Sequence, residues 1–187
     1  MKKFVLLILL ISNIAYGGTW IGGGVGIFFP IPVEEYSYSP GGLWKIAIQH
    51  NLSNEKENYF GFVIGIEVME NDVSDFVFQN ATFPVKQNEI QLGIIYNLFN
   101  QGDHWFEVSA GYVSKGIEIS YSALGVSQSD PGFFIGFGDK YMITDYFLVE
   151  GNLNWSFVSA DTNWGNLTIS GPKLEILIWL NILNNNM

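Results

Sequence analysis

Hydrophobic and polar residues alternate along most of this chain with a period of two. The stretch 88–113, NEIQLGIIYNLFNQGDHWFEVSAGYV, shows it most fully. Ile90, Leu92, Ile94, Tyr96 and Leu98 share one face, with Glu89, Gln91, Gly93 and Asn97 opposite and Ile95 as the exception. After the polar turn NQGD, Phe106, Val108, Ala110 and Tyr112 face together, against Glu107, Ser109, Gly111 and Lys115. A two-residue period is the repeat of a β-strand, and the pair predicts a hairpin. Parity alone does not decide whether the apolar face looks into a protein core or out into hydrocarbon.

The same reading predicts eight strands, near 18–29, 43–51, 58–70, 88–99, 104–116, 132–143, 146–158 and 172–183. Three connections are short and polar, LSNEKEN at 52–58, NQGD at 100–103 and TD at 144–145, and they alternate with four long ones. An even number of strands with short turns at one end and long loops at the other is the pattern of a transmembrane up-and-down barrel. Most runs are also longer than the ~5–6 residues of a soluble strand and match the ~9–11 needed to cross a bilayer. In 58–70, Phe60, Phe62, Ile64, Ile66 and Val68 form one wholly apolar face. Trp44, Tyr59, Tyr96, Trp105, Tyr112, Tyr141, Tyr146 and Trp155 fall near run ends, as the girdles at bilayer interfaces do. The expected fold is therefore all-β, an eight-stranded antiparallel barrel spanning a membrane.

The opposite face then becomes a lumen. Lys45, Lys115, Lys140 and Lys173 lie on it, together with Glu67, Glu89, Glu107, Glu150 and Glu175. With strands running alternately up and down, Glu107, Lys140 and Glu150 fall low and the other six higher. Eight strands leave an interior that side chains fill. Charges there are expected to pair, because isolated buried charge is very unfavourable. The glycines of WIGGGVGIFFP lack the spacing of a dinucleotide loop, and GFGDKY lacks that of a phosphate loop. Glycine in strands suits bending and close approach instead.

Composition narrows the compartment and the partners. Lys2 and Lys3 precede the apolar run Phe4–Ile11, and Ala15-Tyr16-Gly17 supplies a small-x-small cleavage pattern. Residues 1–17 thus read as a secretory signal peptide, leaving 18–187 as the barrel. There is no cysteine, so no disulfide framework is expected. The formal charge of −10 becomes −12 once Lys2 and Lys3 are removed. Such acidity disfavours nucleic acid and anionic lipid surfaces as partners. Neither cofactor nor metal is expected, with only His50 and His104 to serve as soft ligands.

The segment PGFFIGFGDKYMITDYFLVEGNLNWSF (131–157) resembles a hairpin of the OmpA/OmpX-type small outer-membrane β-barrels. There, a Gly/aromatic strand meets a tight Thr-Asp or Thr-Asn turn and an alternating strand with an inward acid. The resemblance extends over 18–187 as a matter of pattern and strand count. It implies a monomeric barrel delivered through the outer-membrane assembly machinery, in contact with outer-membrane lipid, with surface-exposed loops. The family's usual terminal aromatic is missing: the chain ends LEILIWLNILNNNM, with Trp179 the nearest aromatic. No peptidoglycan-binding domain of the kind larger relatives carry is expected after the eighth strand.

Members of the family act as structural proteins, adhesins or resistance factors, and a few are enzymes. The H-x-S pattern of a lipid A 3-O-deacylase fails at His50, since Leu52 holds the serine position and Ser53 comes one residue late. His104 beside Asp103 reads as a hydrogen-bonded turn pair. The expectation is a non-enzymatic barrel that offers loop residues Tyr36, Tyr38, Phe76, Phe78, Phe83, Tyr121 and Trp164 to an unknown surface ligand. The rivals are a soluble periplasmic lipocalin-like barrel holding a small apolar ligand and a lipid A-modifying enzyme.

Overall fold

The computed structural model describes residues 18–31, 36–52, 59–75, 81–119, 126–162, 165–168 and 170–183. The expected signal peptide, 1–17, lies outside them. The described residues form ten strands and no helix: β1 (Thr19–Phe28), β2 (Tyr36–Tyr38), β3 (Gly41–Asn51), β4 (Phe60–Asp75), β5 (Ala81–Gln101), β6 (His104–Ile119), β7 (Val126–Thr144), β8 (Phe147–Thr162), β9 (Gly165–Thr168) and β10 (Gly171–Leu183). Eight of them make the wall. Each pairs antiparallel with its neighbour in the order β10-β1-β3-β4-β5-β6-β7-β8, and β10 also pairs with β8, so the sheet closes on itself. Closure leaves the eight-stranded wall without an edge. The short strands β2 and β9 pair with the far ends of β4 and β8.

One cross-strand row shows how so narrow a barrel closes. Gly93 and Gly111 pair with each other, and Gly111 pairs with Phe134 on the next strand. A Cβ on Gly93 would lie 2.6 Å from the Phe134 ring, so the missing side chain is what admits that ring. A Cβ on Gly111 would lie 2.3 Å from the Leu92 carbonyl oxygen, closer than any real contact. The tight β5–β6 turn uses Gly102 at φ 64°, a conformation only glycine adopts without strain. A bulge between Asn97 and Phe99 turns Leu98 and Phe99 both outward.

The strands run further than the alternation predicted at the end away from the termini. Residues 71–75 pair with 81–85, and 117–119 pair with 126–128, where long loops were expected. In these ribbons Asn71 faces inward and Asp72 outward, both polar, while the apolar Val85 and Ile117 point inward, so the apolar-out alternation of the wall ends although backbone pairing continues. Pro84 and Pro131, which fall outside the predicted strands, sit paired with Asp72 and Ser114.

Burial is inverted relative to a water-soluble sheet. Ile46, Ile64, Ile66, Ile90, Leu92, Phe133, Phe137, Ile176 and Leu180 all point outward and are about half exposed. Charged and amide side chains are buried inside. The expected aromatic girdle needs one correction. Trp44, Tyr112, Tyr141 and Tyr146 are exposed on the exterior, and Tyr96 and Trp155 lie half-buried against Phe60 and Phe157. Tyr59 and Trp105, however, are buried in the lumen, edge-on to one another at 6.1 Å, with Trp20 edge-on to Trp105 at 6.3 Å. Trp105 stands two residues from inward Glu107, so strand parity rather than nearness to the run end sets its side.

Candidate functional site

The lumen is built from inward positions of every wall strand, and all nine lysines and glutamates named from the sequence lie in it, none more than 5 % exposed. Six form a continuous chain. Lys115 lies 3.1 Å from Glu89, Glu89 lies 2.5 Å from Lys173, and Lys173 lies 2.5 Å from Glu67. Glu67 lies 2.8 Å from Lys45, its cross-strand partner, and Lys45 lies 3.0 Å from Glu175. Positive and negative groups alternate along the chain, three of each, so it is neutral. Each ion therefore sees an opposite charge at contact distance, the arrangement that offsets desolvation in a dry interior.

Neutral polar groups add hydrogen bonds to this chain. Lys45 donates to Gln91 at 3.1 Å, Gln91 donates to Glu89 at 2.7 Å, and Lys115 donates to Ser156 at 3.2 Å. The Lys115 ammonium also lies 4.9 Å from the centre of the Phe28 ring, within cation–π range.

Lys140 organises a second, separate cluster nearer the termini. It lies 2.6 Å from Glu107 and 3.8 Å from Glu150, and it donates to Gln49. The Trp179 indole donates to Glu150 at 2.5 Å, and Lys140 lies 4.9 Å from the same residue's ring. One ammonium serves two carboxylates here, so the tryptophan N–H and the glutamine supply the remaining polar contacts. Val63, Ile95, Phe134 and Leu177 stand around a cavity of about 30 Å³ between the two clusters. Its size suits one or two waters. Trp20, Tyr59 and Trp105 cover the terminal end of the lumen, while Phe28, Leu43 and Met69 form a buried group toward the other.

The charged residues and Gln91 were accessible to sequence reasoning through parity, whereas Gln49, Ser156 and Trp179 were overlooked as lumen residues. They stand on the same inward face, and that position was the available signal. The loop residues are less fully placed. Tyr36 and Phe83 lie in β2 and β5, and Tyr38 is half-buried at the end of β2. Phe76, Phe78, Tyr121 and Trp164 fall outside the described residues.

The histidines both have cross-strand partners, and that of His104 is not the one the sequence suggested. His50 Nδ1 lies 2.9 Å from the Thr19 hydroxyl. His104 pairs with Asp139 on β7 at 3.1 Å rather than with the adjacent Asp103, because cross-strand register brings Asp139 beside it. No group of three or more His, Cys, Asp or Glu among the described residues is placed to hold a metal.

The chain matches no protein-family model and none of the curated proteins. Solved structures do resemble it. Neisserial surface protein A superposes with a TM-score of 0.63 at 10% identity, covering 88% of this chain and 97% of that one. Ail, the attachment invasion locus protein of Yersinia pestis, gives 0.57 at 10% identity, covering 89% and 99%. OprG, an outer membrane protein of Pseudomonas aeruginosa, gives 0.57 at 10% identity, covering 90% and 97%. Ail has also been solved in complex with the heparin analogue sucrose octasulfate. At these identities the likeness establishes the fold, the eight-stranded barrel of the small outer-membrane proteins.

Proposed function

We propose that this chain is an integral outer-membrane β-barrel with no catalytic role, its lumen sealed by lysine–glutamate pairs, that presents its loops for surface interaction. The observation that carries the reading is the inverted burial. An exterior of half-exposed Ile, Leu and Phe side chains surrounds an interior of paired charges. A lipocalin-like protein needs the opposite, an apolar interior for its ligand and a wet exterior. Residues 1–17, read as an export signal, support the same compartment, as does the fold shared with outer-membrane barrels.

In this reading the termini and the short turns at Gly102–Asp103 and Asp145–Tyr146 face the periplasm. The extended ribbons of β4–β5 and β6–β7 project outward. The partners are outer-membrane lipid, the assembly machinery during insertion, and a surface ligand met by the loops; the barrel acts as a monomer. Its acidity disfavours nucleic acid and polyanions of the kind that Ail was solved with. The lipid A-modifying alternative finds little support, because neither histidine completes a triad among the described residues: His50 meets the Thr19 hydroxyl but no carboxylate orients it, its Nε2 having no hydrogen-bond partner, and His104 meets Asp139 but no hydroxyl.

Electrophoresis of the detergent-extracted protein in SDS, unheated against boiled, tests the proposal. A membrane barrel stays folded in cold SDS and shifts its mobility on boiling. A protein that fractionates with the soluble periplasm and shows no shift refutes it.

A further inference from the structure

One carboxylate stands where the exterior is otherwise apolar. Asp139 points outward from β7, 45 % exposed, with Phe137 on one side and Tyr141 and Ile143 on the other along the outward face of its strand. No other carboxylate among the described residues is flanked this way. Its cross-strand neighbours are Phe106 on β6 and Gly151 on β8. Beside it lies a hollow of about 670 Å³, lined by Phe106, Phe137, Gly151, Leu153, Leu174 and Ile176 among others.

Gly151 keeps that hollow open. Several wall glycines are dictated by packing: a Cβ at Gly24 would lie 2.0 Å from a carbonyl oxygen, and one at Gly26 2.2 Å. At Gly151 a Cβ would meet nothing within 4 Å. A strand glycine sacrifices β-propensity and backbone order, and at this position no close approach requires it. The space it leaves lies next to the exposed carboxylate.

From these two features we infer that the hollow is a seat for one phospholipid bearing a primary-ammonium headgroup. The ammonium donates to the Asp139 carboxylate while an acyl chain lies over Gly151 between Leu153 and Ile176. His104 is a positioning residue. An ionised carboxylate only accepts, so the imidazole Nδ1–H donates to Oδ1, fixing the carboxylate while leaving its second oxygen for the headgroup. A quaternary ammonium lacks the N–H donors for this contact, and an anionic headgroup is repelled by Asp139. The inference rests on the outer-membrane reading, since the hollow faces lipid only if the barrel spans a bilayer.

Native mass spectrometry of the full barrel tests it, with equimolar phosphatidylethanolamine, phosphatidylcholine and phosphatidylglycerol of identical acyl chains. Wild type should retain the ethanolamine lipid about fivefold over the others, the ratio given by one charge contact of roughly 1 kcal/mol. Asp139→Asn should retain the three equally, and Gly151→Leu should lose retention of all three by filling the hollow. Equal retention by wild type, a preference that survives Asp139→Asn, unchanged retention in Gly151→Leu, or a second barrel seated on this face each overturns the inference. The heat-dependent mobility shift, read on the same samples, reports separately on the barrel reading. Its loss in wild type sinks that reading, whereas a retained shift without lipid preference sinks only the lipid seat.

Discussion

Lys173 illustrates how the lumen works at the scale of single residues. It lies 2.5 Å from both Glu67 and Glu89 and is fully buried. Replacing it with Met removes the cation shared by Glu67 and Glu89; each keeps one lysine, Lys45 and Lys115, but the cluster is left with an uncompensated negative charge in a dry interior. The expected loss is about 3–5 kcal/mol, read as a lower urea midpoint for the detergent-folded barrel. Lys86 provides the comparison, because its pair with Glu70 at 3.3 Å is exposed on the exterior. Lys86→Met should change stability by at most about 0.5 kcal/mol. In the second cluster, Lys140→Ala strands Glu107 and Glu150 together. Either single-channel conductance should rise or the urea midpoint should fall, and unchanged values for both would contradict a lumen sealed by these pairs.

Elements impose their own constraints. Gly111→Val should force β5 and β6 apart at Leu92, at a cost of about 1–3 kcal/mol, the range found when extra bulk is forced into a packed interior. Gly102→Ala should cost about 1–2 kcal/mol through its left-handed turn conformation. Hydrogen exchange checks the extended ribbons. Amides of 71–75 and 81–85 should exchange more slowly than those of the Gly102–Asp103 turn, and equal rates would contradict continued pairing.

These elements also show what sequence reasoning reaches and where it stops. Parity located the nine charges because each strand that carries one keeps an apolar outward face across the band, which leaves the opposite face for them. It lost the ribbons beyond the band, where Asn71 and Asp72 put polar residues on both faces and the apolar Val85 and Ile117 turn inward, so the apolar-out pattern ends. It also gave Tyr59 and Trp105 to the exterior, since position along the run was weighed above parity. The His104–Asp139 pair depends on cross-strand register, which a single sequence does not display. The Gly151 hollow depends on five neighbouring strands at once.

For the whole molecule the central claim is that apolar residues face hydrocarbon and the charges face one another. The distribution makes physical sense only in two solvents: a bilayer stabilises the Ile and Leu exterior, and closure satisfies every strand of the wall. A chain without cysteine allows the claim to be tested position by position. Single cysteines at successive positions from 90 to 95 can carry a nitroxide spin label in vesicle-inserted protein. Collision with oxygen, which concentrates in hydrocarbon, is then compared with collision with a water-soluble nickel chelate. The account predicts high oxygen accessibility at Ile90, Leu92 and Ile94, and low accessibility to both reagents at Gln91, Gly93 and Ile95. Oxygen accessibility that is uniform along the strand, or nickel access at Ile90, Leu92 and Ile94, would contradict it.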